Sequence, residues 1–424
     1  MNRATKSILE RLRDYESRNV TFIDPDGSWP IVWDRARGVH VWDAEGRKYL
    51  DLTAAFGVAA AGHANPVVVR AGRRQMGRLL HAMGDVYPHA LKAELARELS
   101  RVTFERWGTG RKSSSPWKRG GAARRGKTIF NNSGFESVEA ALKTAMLATG
   151  RRGVIAFEQA YHGLGYGTLN VTSRDHFRSA FRAQLGRFGH FVPFPMRSGE
   201  LETVDRAVRA LMKRHSIGAV LVEPVQARGG IRVPPDGFLP LLRERCDETG
   251  SLLIADEIYT GFGRTGVWFA CEHSGTMPDL ICLGKALTGG FPLSACVGRA
   301  DVMDAAWPKS EGEAIHTSTF LGHPVGCAMA LAQMGEVRKR RLVERSASLG
   351  RELLGKLTEL RAVSPRIHEV RGMGLMAGIE LCEPDGSPAT EGALRVTKGM
   401  LRRGFILLPE GEHSNVISLT PPLT

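Results

Sequence analysis

The 424-residue sequence predicts an α/β protein with a mainly parallel sheet covered by helices, plus a smaller α+β domain. Short runs of consecutive apolar residues recur between positions 128 and 284, and helical patterns separate several of these runs. Strands that are buried on both faces of a parallel sheet have this continuous apolar character. A chain of 424 residues also exceeds one minimal domain, so we expect two domains or one large domain with an appended smaller one.

Residues 1–60 are predicted to form the N-terminal part of the smaller domain. The pattern at 1–18 is that of a basic amphipathic helix. The stretch GVHVWDAEGRKYLDLT at 38–53 alternates apolar and polar residues on both sides of Asp-Ala-Glu-Gly, which indicates a β-hairpin. Helical patterns follow at about 65–84 and 89–101, and they lead into the larger domain.

The larger domain is predicted to span residues 61–328. Its strand candidates are the apolar runs at 128–130, 153–157, 219–223, 252–256 and 280–284. Helical patterns lie between them at 138–150 and 237–250. Because strands and helices alternate, we expect a parallel sheet with helices on both faces.

Residues 329–424 are predicted to complete the smaller domain. A helical pattern runs from about 326 to about 360, and a strand (374–382) and a helix (394–404) follow it. The last strand candidates are FILLPE and NVISLTPP. This mixture indicates an α+β domain, and we expect it to pack with the N-terminal hairpin.

Composition restricts the class of protein. The apolar fraction of 42% and the charged fraction of 24% are ordinary for a soluble globular protein. No apolar run approaches the roughly 18 residues that a membrane-spanning helix needs. The N-terminus is too charged for a secretory signal, and the six cysteines are scattered without a Cys-x-x-Cys pair, as in proteins with reduced thiols. We therefore expect a cytoplasmic enzyme or binding protein.

The net charge of +14 requires that a nucleic-acid partner be considered. Much of the excess lies in the segment 106–127, which holds eight Lys and Arg residues, no acidic residue and many Gly and Ser residues. We interpret this segment as a solvated, mobile basic loop, with binding to an anionic surface as the alternative. Trp107 and Trp117 are its aromatic residues, but no recognisable nucleic-acid-binding module surrounds them, so a nucleic-acid partner is disfavoured.

Chemically active residues follow several predicted strands, at the edge where parallel α/β sheets bind ligands. Ser133, in the sequence Asn-Asn-Ser-Gly, precedes a helix and could either cap it or hold a phosphate together with the free N–H groups of the helix start. Asp256 ends an apolar run and could cap a helix, bind a metal or pair with a protonated ring nitrogen. Ile258, two residues further on, lies on the same side of the chain.

Two more features follow predicted strands. The sequence Tyr-His-Gly at 161–163 offers an aromatic ring that could either stack on a flat ligand or pack in the core. Lys285 is either a solvated surface charge or a buried nucleophile. An amine nucleophile, a carboxylate for a ring nitrogen, a stacking ring and a phosphate-binding helix start are together what pyridoxal phosphate requires. The combination favours pyridoxal phosphate as cofactor.

Competing ligands are less well supported. The sequence GFGRTG at 261–266 formally matches G-x-G-x-x-G, but a dinucleotide fingerprint directly follows a strand and opens a helix. Here DEIYT intervenes, and the residues that follow have no clear helical pattern. Neither H-E-x-x-H nor paired Cys and His spacing occurs, so we predict no metal site.

The run IADEIYTGFGRTGVWFACEHSGTMPDLICLGKALTGGFPLSA at 254–295 resembles the signature of class III (ω-amino acid type) aminotransferases, which have PLP fold type I. The resemblance includes FNNSG, YHG, VEPVQ and TSTFLGHP, so it spans most of residues 20–422. It implies an enzyme that moves an amino group from an amine or ω-amino acid to a keto acid or aldehyde acceptor by a ping-pong, Schiff-base mechanism.

The resemblance also implies roles for individual residues. Lys285 would bind pyridoxal phosphate as a Schiff base and then transfer a proton as general acid and base. Asp256 would pair with the pyridine nitrogen, and Ile258 and Tyr161 would lie on the two faces of the ring. Gln226 would reach the ring hydroxyl.

Further residues would complete the implied site. Ser133, Gly134 and Phe135 would hold the phosphate from one subunit. Thr319, beside Ser318, would contact it from the neighbouring subunit, which implies a homodimer. His162 belongs to the matching Tyr-His-Gly stretch, and Glu223 matches a glutamate near the substrate in relatives.

Three positions depart from the family's pattern. Phe135 stands where the phosphate-binding loop usually has a small residue, so we expect a tighter pocket. Ser418 stands where relatives that act on α-carboxylates have an arginine, and a lone serine cannot supply a bidentate clamp. We therefore expect an amino donor that is an ω-amine, or an amino acid whose reacting amine is distal to any carboxylate. The sequence stops at Thr424, before the family's last helix, so we expect either truncation or an early natural end.

Other functions are compatible with the same fold. A glutamate-1-semialdehyde-type aminomutase or a decarboxylase would use the same cofactor site, but the GFGRTG stretch resembles transaminases more closely. A catalytically inactive relative is disfavoured because both Asp256 and Lys285 are present.

Overall fold

The computed structural model describes residues 3–25, 27–108 and 125–424. Most of the segment 106–127, including Trp117, therefore lies outside the described residues. The predicted mobile basic loop thus stays a prediction.

The elements alternate along the chain. The strands are β1 (Trp33–Arg37), β2 (His40–Asp43), β3 (Lys48–Asp51), β4 (Gly126–Asn131), β5 (Gly153–Phe157), β6 (Gly189–Val192), β7 (Ile217–Val222), β8 (Leu252–Asp256), β9 (Leu280–Leu283), β10 (Ser294–Arg299), β11 (Ile367–Met373), β12 (Met376–Leu381), β13 (Phe405–Ile406), β14 (Leu408–Glu410) and β15 (Val416–Leu419). The α-helices are α1 (Arg3–Tyr15), α2 (Ala54–Gly57), α3 (Pro66–Arg78), α4 (Ala90–Ser100), α5 (Arg106–Gly108), α6 (Gly134–Thr149), α7 (Asp175–Arg178), α8 (Leu201–Arg214), α9 (Phe238–Thr249), α10 (Ala300–Ala306), α11 (Pro324–Lys339), α12 (Leu342–Val363) and α13 (Thr390–Arg402).

The main sheet has the strand order β4-β10-β9-β8-β7-β5-β6. Strands β6, β5, β7, β8 and β9 are parallel to one another, whereas β10 runs antiparallel to both β9 and β4. Every residue of β5, β7, β8 and β9 is buried, which explains their continuous apolar sequences. The predicted fold class, a mainly parallel sheet with helices and a smaller domain, is confirmed.

Helices cover both faces of this sheet. In β7, Val220 belongs to the apolar core on one face and Leu221 to the core on the other face, as the two-residue period of a strand requires. Helix α6 packs on the Leu221 side through residues such as Val138, whereas α8 and α9 pack on the Val220 side. Each fully buried aliphatic side chain contributes about 1.5–3 kcal/mol to stability, so this two-sided core fixes the sheet that carries the site.

The smaller domain combines both ends of the chain. Strand β13 pairs in parallel with β3 of the N-terminal hairpin, with Phe405 opposite Leu50. Strands β11, β12, β15 and β14 form a separate antiparallel sheet in that order. The expected packing of the C-terminal segment with the N-terminal hairpin is therefore present, while the domain boundaries stay predictions.

Of two sequence-based expectations about elements, the first needs correction and the second agrees with the structure. The helical pattern from about 326 to 360 is two helices, α11 and α12, because the chain breaks at Arg341, whose φ is +50°. The segment 261–266, which matches the dinucleotide motif, lies in a series of turns and opens no helix, so it lacks the strand–turn–helix geometry that the motif needs. Among the helices that the structure describes, none has the length and apolarity to cross a membrane.

Candidate active site

Four neighbouring parallel strands deliver polar residues to one edge of the main sheet. Strands β9, β8, β7 and β5 are adjacent in that order. Asp256 is the last residue of β8, Glu223 follows β7, and Lys285 lies two residues after the end of β9. The Tyr-His-Gly stretch at 161–163 follows β5. Because the carboxyl ends of parallel strands meet at one edge, side chains that are far apart in sequence come together there.

A cavity of ≈ 420 Å³ opens at this edge. Its lining residues include eight of the predicted site residues: Gly134, Phe135, Tyr161, His162, Glu223, Asp256, Ile258 and Lys285. Gly163, Leu164, Ala227, Arg228 and Tyr259 also line it. The predicted residues Ser133, Gln226, Ser318 and Thr319 do not line it within this single chain.

Lys285 is mostly buried and faces the cavity. Its Nζ lies 4.7 Å from the centroid of the Tyr259 ring. Burial lowers the pKa of the Lys285 amine, while the carboxylates of Asp256 and Glu223 oppose this shift. Its φ of +41° is an uncommon backbone conformation for a lysine. A lowered pKa increases the neutral fraction of the amine, which is the nucleophilic form.

Asp256 is held by two hydrogen bonds. Its Oδ2 lies 2.8 Å from His162 Nδ1, and its Oδ1 accepts a hydrogen bond of 3.1 Å from the backbone N–H of Ile258. An ionised carboxylate only accepts hydrogen bonds, so Nδ1 of His162 carries the proton. Both side chains are buried. His162 therefore fixes the orientation of Asp256, which makes it a positioning residue in this cavity.

Glu223 connects two loops of the cavity wall. Its Oε1 accepts from the Tyr161 N–H at 2.9 Å, and its Oε2 accepts from the Ala227 N–H at 3.3 Å. Burial raises the pKa of Glu223 to about 7, helped by Asp256 and opposed by His162. The carboxyl thus holds Tyr161 beside the cavity, in addition to lining it.

The N-terminus of α6 is capped by the side chain of a residue in its own first turn. The carboxylate of Glu136 accepts from the Ser133 N–H at 2.7 Å, from the Asn132 N–H at 3.0 Å and from the Ser133 hydroxyl at 2.9 Å. Glu136 thus satisfies free N–H groups at the helix start, as the glutamate of a capping box does. Ser133 is the N-cap residue of this helix, and its hydroxyl is engaged by Glu136.

The neighbouring glycines shape a close-fitting wall. A Cβ added at Gly134 would lie 3.0 Å from the Ile258 side chain. Gly163 has a φ of +105°, and a Cβ added there would lie 2.2 Å from Cβ of Phe135. Phe135 thus packs directly on the Tyr-His-Gly stretch, while its expected narrowing of the pocket stays a prediction.

Gln226 is fully buried next to this wall. Its Nε2 donates to the carbonyl oxygen of Glu158 at 2.9 Å, whereas its Oε1 has no hydrogen-bond partner among the described residues. Buried polar atoms are nearly always paired, so this oxygen has capacity for a group that the chain itself does not supply.

Ser318 and Thr319 lie on the exposed surface, away from the cavity. The adjacent Thr317 hydroxyl donates to the carboxylate of Asp85 at 2.7 Å, which connects this segment to the loop after α3. Their predicted contact with the cofactor involves a neighbouring subunit and stays a prediction.

Three charged or aromatic residues at the cavity were not predicted from the sequence. Tyr259 and Arg228 line it, and Glu410 pairs with Arg228 at 3.3 Å. Arg228 follows the matching stretch VEPVQ by two residues and could have been found from that position. Glu410 lies 182 residues further along the chain, and no local pattern indicates its position.

Comparison with known proteins identifies the family. The family model described as aminotransferase class-III matches residues 23–424. The 5-aminovalerate aminotransferase DavT of Pseudomonas aeruginosa is 36% identical over 100% of this chain and 95% of the relative. The crystal structure of a thermostable (S)-enantioselective omega-transaminase from Thermomicrobium roseum superposes with a TM-score of 0.87 at 27% identity, covering 100% of this chain and 95% of that chain.

A third relative was solved with its cofactor. The PLP-bound form of an amine transaminase from an uncultivated Pseudomonas species has a TM-score of 0.83 at 28% identity, covering 96% of this chain and 94% of that chain. The residues of the cavity fit the same cofactor. The Lys285 amine and the Asp256 carboxylate line the cavity together with Tyr161 and Ile258. The buried Oε1 of Gln226 has no hydrogen-bond partner among the described residues. The chain belongs to the class III aminotransferase family and is a pyridoxal-phosphate-dependent aminotransferase.

Proposed function

We propose that Lys285 is the residue that binds pyridoxal phosphate and moves the proton during amino transfer. The observation that carries this proposal is that the Lys285 amine and the Asp256 carboxylate line one cavity at the carboxyl edge of the sheet. When bound, pyridoxal phosphate supplies an electron-withdrawing ring that stabilises negative charge next to the reacting amino group. Because its pKa is lowered, Lys285 is better suited than a solvated lysine to accept and return a proton.

The other cavity residues would hold and orient the cofactor. Asp256, fixed by His162, would keep the pyridine nitrogen protonated through its negative charge. Tyr161 and Ile258 would lie against the two faces of the ring, and both line the cavity. Gln226 would use its unpartnered Oε1 toward the ring hydroxyl.

The phosphate would be held at the start of α6. Gly134 and Phe135 line the cavity there and offer backbone N–H groups of the first helical turn. Ser133 would contribute after its hydroxyl leaves Glu136. Ser318 and Thr319 would approach from a second copy of the chain, which we propose forms a homodimer.

An exposed apolar surface supports this dimer. Leu80, Met83, Val86, Tyr87 and Phe320 are each more than half exposed. The rings of His81 and Phe320 lie 5.4 Å apart, so the segment at 79–87 and the segment at 317–321 form one surface. A contiguous apolar surface of this kind marks a protein–protein contact.

We infer that the amino donor is an ω-amine or an ω-amino acid and that the acceptor is a keto acid or an aldehyde. Ser418 is buried and its hydroxyl donates to the carbonyl oxygen of Leu408 at 3.2 Å, so it is not available to clamp an α-carboxylate. The relative DavT is named for 5-aminovalerate, an ω-amino acid. We also propose a cytoplasmic location, in keeping with the scattered free cysteines.

A screen of single half-reactions tests the donor class. The purified protein is loaded with pyridoxal phosphate and mixed with ω-amines, ω-amino acids or α-amino acids, while the cofactor absorbance is followed. We expect the ω-compounds to change the absorbance. An α-amino acid should change it only where it corresponds to a keto-acid acceptor, because each half-reaction runs in both directions. Reaction with α-amino acids alone would contradict the proposed donor class.

A further inference from the structure

Arg228 is the one guanidinium among the cavity-lining residues that the structure describes. Hydrogen bonds from several parts of the chain hold the backbone at Arg228 in place. Gln226 and Arg232 exchange two backbone hydrogen bonds of 3.0 and 2.9 Å across the turn, and the Arg228 carbonyl accepts from the Gly411 N–H at 3.1 Å. Arg371 donates to the carbonyl oxygens of Gly230 and Ile231 in the same turn. The position of Arg228 at the cavity is therefore built into the fold.

The Arg228 guanidinium has one anionic partner and two aromatic neighbours. Its Nη1 lies 3.3 Å from the Glu410 carboxylate, and its Cζ lies 5.7 Å from the Tyr161 ring centroid and 6.0 Å from that of Phe56. The aromatic faces stabilise a cation without neutralising it. The Arg228 side chain is 33% exposed, whereas that of Glu410 is 3% exposed. An anion that enters the cavity can therefore reach Arg228 from the open side.

Glu410 is suited to give up its partner. Burial raises the pKa of Glu410 to about 7, opposed by the nearby cations Arg228, Arg174 and Lys285. When Arg228 turns to another anion, the neutral form of Glu410 becomes still more favourable. The exchange of partners then leaves no buried, unpaired charge, which would otherwise be costly.

Other arginines in this region are already engaged. Arg371 pairs with Glu369 and Glu380, and Arg264 donates to the carbonyl oxygens of Leu375 and Pro421. Among the residues that the structure describes, Arg228 is the arginine that lines the cavity.

We propose that Arg228 binds the substrate carboxylate that lies distal to the reacting amine or carbonyl group. Without substrate, Arg228 pairs with Glu410, and it leaves Glu410 when the substrate carboxylate binds. The substrates selected in this way are ω-amino carboxylates as donors and keto acids with a distal carboxylate as acceptors. The proposal rests on the proposed function of this cavity as the aminotransferase site. Ser418 does not supply such a clamp, because its hydroxyl donates to the carbonyl oxygen of Leu408.

Two donors that differ only in the carboxylate test this assignment. The holoenzyme is mixed with 5-aminopentanoate or with pentylamine, and the second-order rate constant of each half-reaction is measured. In Arg228→Met we expect the rate constant for 5-aminopentanoate to fall about 10- to 100-fold, because a charge-assisted hydrogen bond is lost. The rate constant for pentylamine should change less than about 3-fold. Arg228→Lys, which keeps the charge, should recover part of the loss.

A neighbouring arginine provides the control. Arg174 donates to the Glu412 carbonyl oxygen at 3.3 Å and does not line the cavity. Arg174→Met should slow both donors equally or not at all. An equal loss for both donors in Arg228→Met, or a selective loss that appears only in Arg174→Met, would overturn the assignment.

A ligand that cannot react gives a second readout. Pentanoate has the carboxylate but no amine, and its binding to the holoenzyme is measured by calorimetry. We expect at least about 10-fold weaker binding in Arg228→Met and equal or tighter binding in Glu410→Gln, which frees Arg228 of its anionic partner. If no amine reacts but pentanoate affinity depends on Arg228, the proposed function fails and the assignment stands. If pentylamine reacts and pentanoate affinity is the same in Arg228→Met, the assignment fails and the proposed function stands.

Discussion

At the scale of single residues, the site brings a buried amine close to buried carboxyl groups of opposite charge. The amine of Lys285 is driven toward its neutral form by burial and toward its charged form by Asp256 and Glu223. Glu223 itself has its pKa raised to about 7, mainly by burial. Groups whose pKa values are brought toward neutrality are suited to gain and lose protons under cellular conditions.

The hydrogen bond between His162 and Asp256 gives a prediction at this scale. His162→Ala removes a charge-assisted hydrogen bond worth about 1.5–3 kcal/mol from Asp256, the carboxylate that we propose pairs with the ring nitrogen. We expect kcat/KM to fall about 10- to 100-fold and the cofactor to bind more weakly, as measured by steady-state kinetics and fluorescence titration. His190→Ala is the control, because His190 stacks on His215 at a ring distance of 4.2 Å in a remote part of the sheet. Equal effects in the two variants would show that His162 has no special role.

At the scale of elements, close backbone contacts determine how the smaller domain packs against the larger one. Helix α12 crosses the β11–β12 turn so closely that a Cβ added at Gly350 would lie 2.2 Å from the carbonyl group of Gly374. Gly374 in turn approaches the backbone at Thr265, beside the turns that follow β8. These contacts connect α12 to the segment that begins at Asp256.

Two glycines of α12 form a matched pair for a stability test. Gly350→Ala forces the helix away from the turn, and we expect a loss of about 1–3 kcal/mol in the free energy of unfolding. A Cβ at Gly355, in the same helix, meets nothing within 4 Å, so Gly355→Ala should stabilise the protein by about 0.5–1 kcal/mol. Denaturant unfolding of both variants measures the difference. Stabilisation by Gly350→Ala would refute the close contact.

At the scale of the whole molecule, the dimer surface and the cofactor site are predicted to depend on each other. Met83→Asp places a charge in the exposed apolar surface between 79–87 and 317–321. We expect this variant to elute as a monomer and to bind pyridoxal phosphate at least about 10-fold more weakly, because a monomer lacks the phosphate contact predicted for Thr319.

Size-exclusion chromatography with light scattering and a cofactor titration measure both effects of Met83→Asp. Val363→Asp is the control, since Val363 is exposed at the end of α12 and lies outside this surface. A Met83→Asp protein that stays dimeric would argue against this surface as the interface. A monomer with unchanged cofactor affinity would argue against the contribution of a second subunit to the site.

Strands can be predicted from the sequence where burial on both faces requires apolar residues throughout. Strands β5, β7, β8 and β9 were predictable because both of their faces are buried, so their sequences are apolar throughout. Strand β10 contains Ser294, Gly298 and Arg299 and has no such pattern, although it pairs with two neighbours in the sheet. Its position follows from tertiary pairing, which a local pattern does not reveal.

Local sequence patterns likewise predict only part of the site. Lys285, Asp256 and Tyr161 were predictable because each follows a strand and the combination is specific to one cofactor. The Arg228–Glu410 pair was not, because its two members are 182 residues apart and meet only when β14 of the smaller domain reaches the cavity of the larger one. For Ser133 the sequence left both roles open, since a helix cap and a phosphate-binding serine have the same sequence pattern, and the structure shows its hydroxyl bonded to Glu136.

Chemical trapping shows which lysine holds the cofactor, and we expect it to be Lys285. Borohydride reduction of the holoenzyme followed by peptide mass spectrometry should find the mass of the cofactor on Lys285. Lys285→Ala should lack this label and lose amino transfer by at least about 10³-fold, whereas Lys356→Ala, an exposed lysine on α12, should keep both. Cofactor attached to another lysine in the wild-type protein, or sustained turnover by Lys285→Ala, would contradict the account.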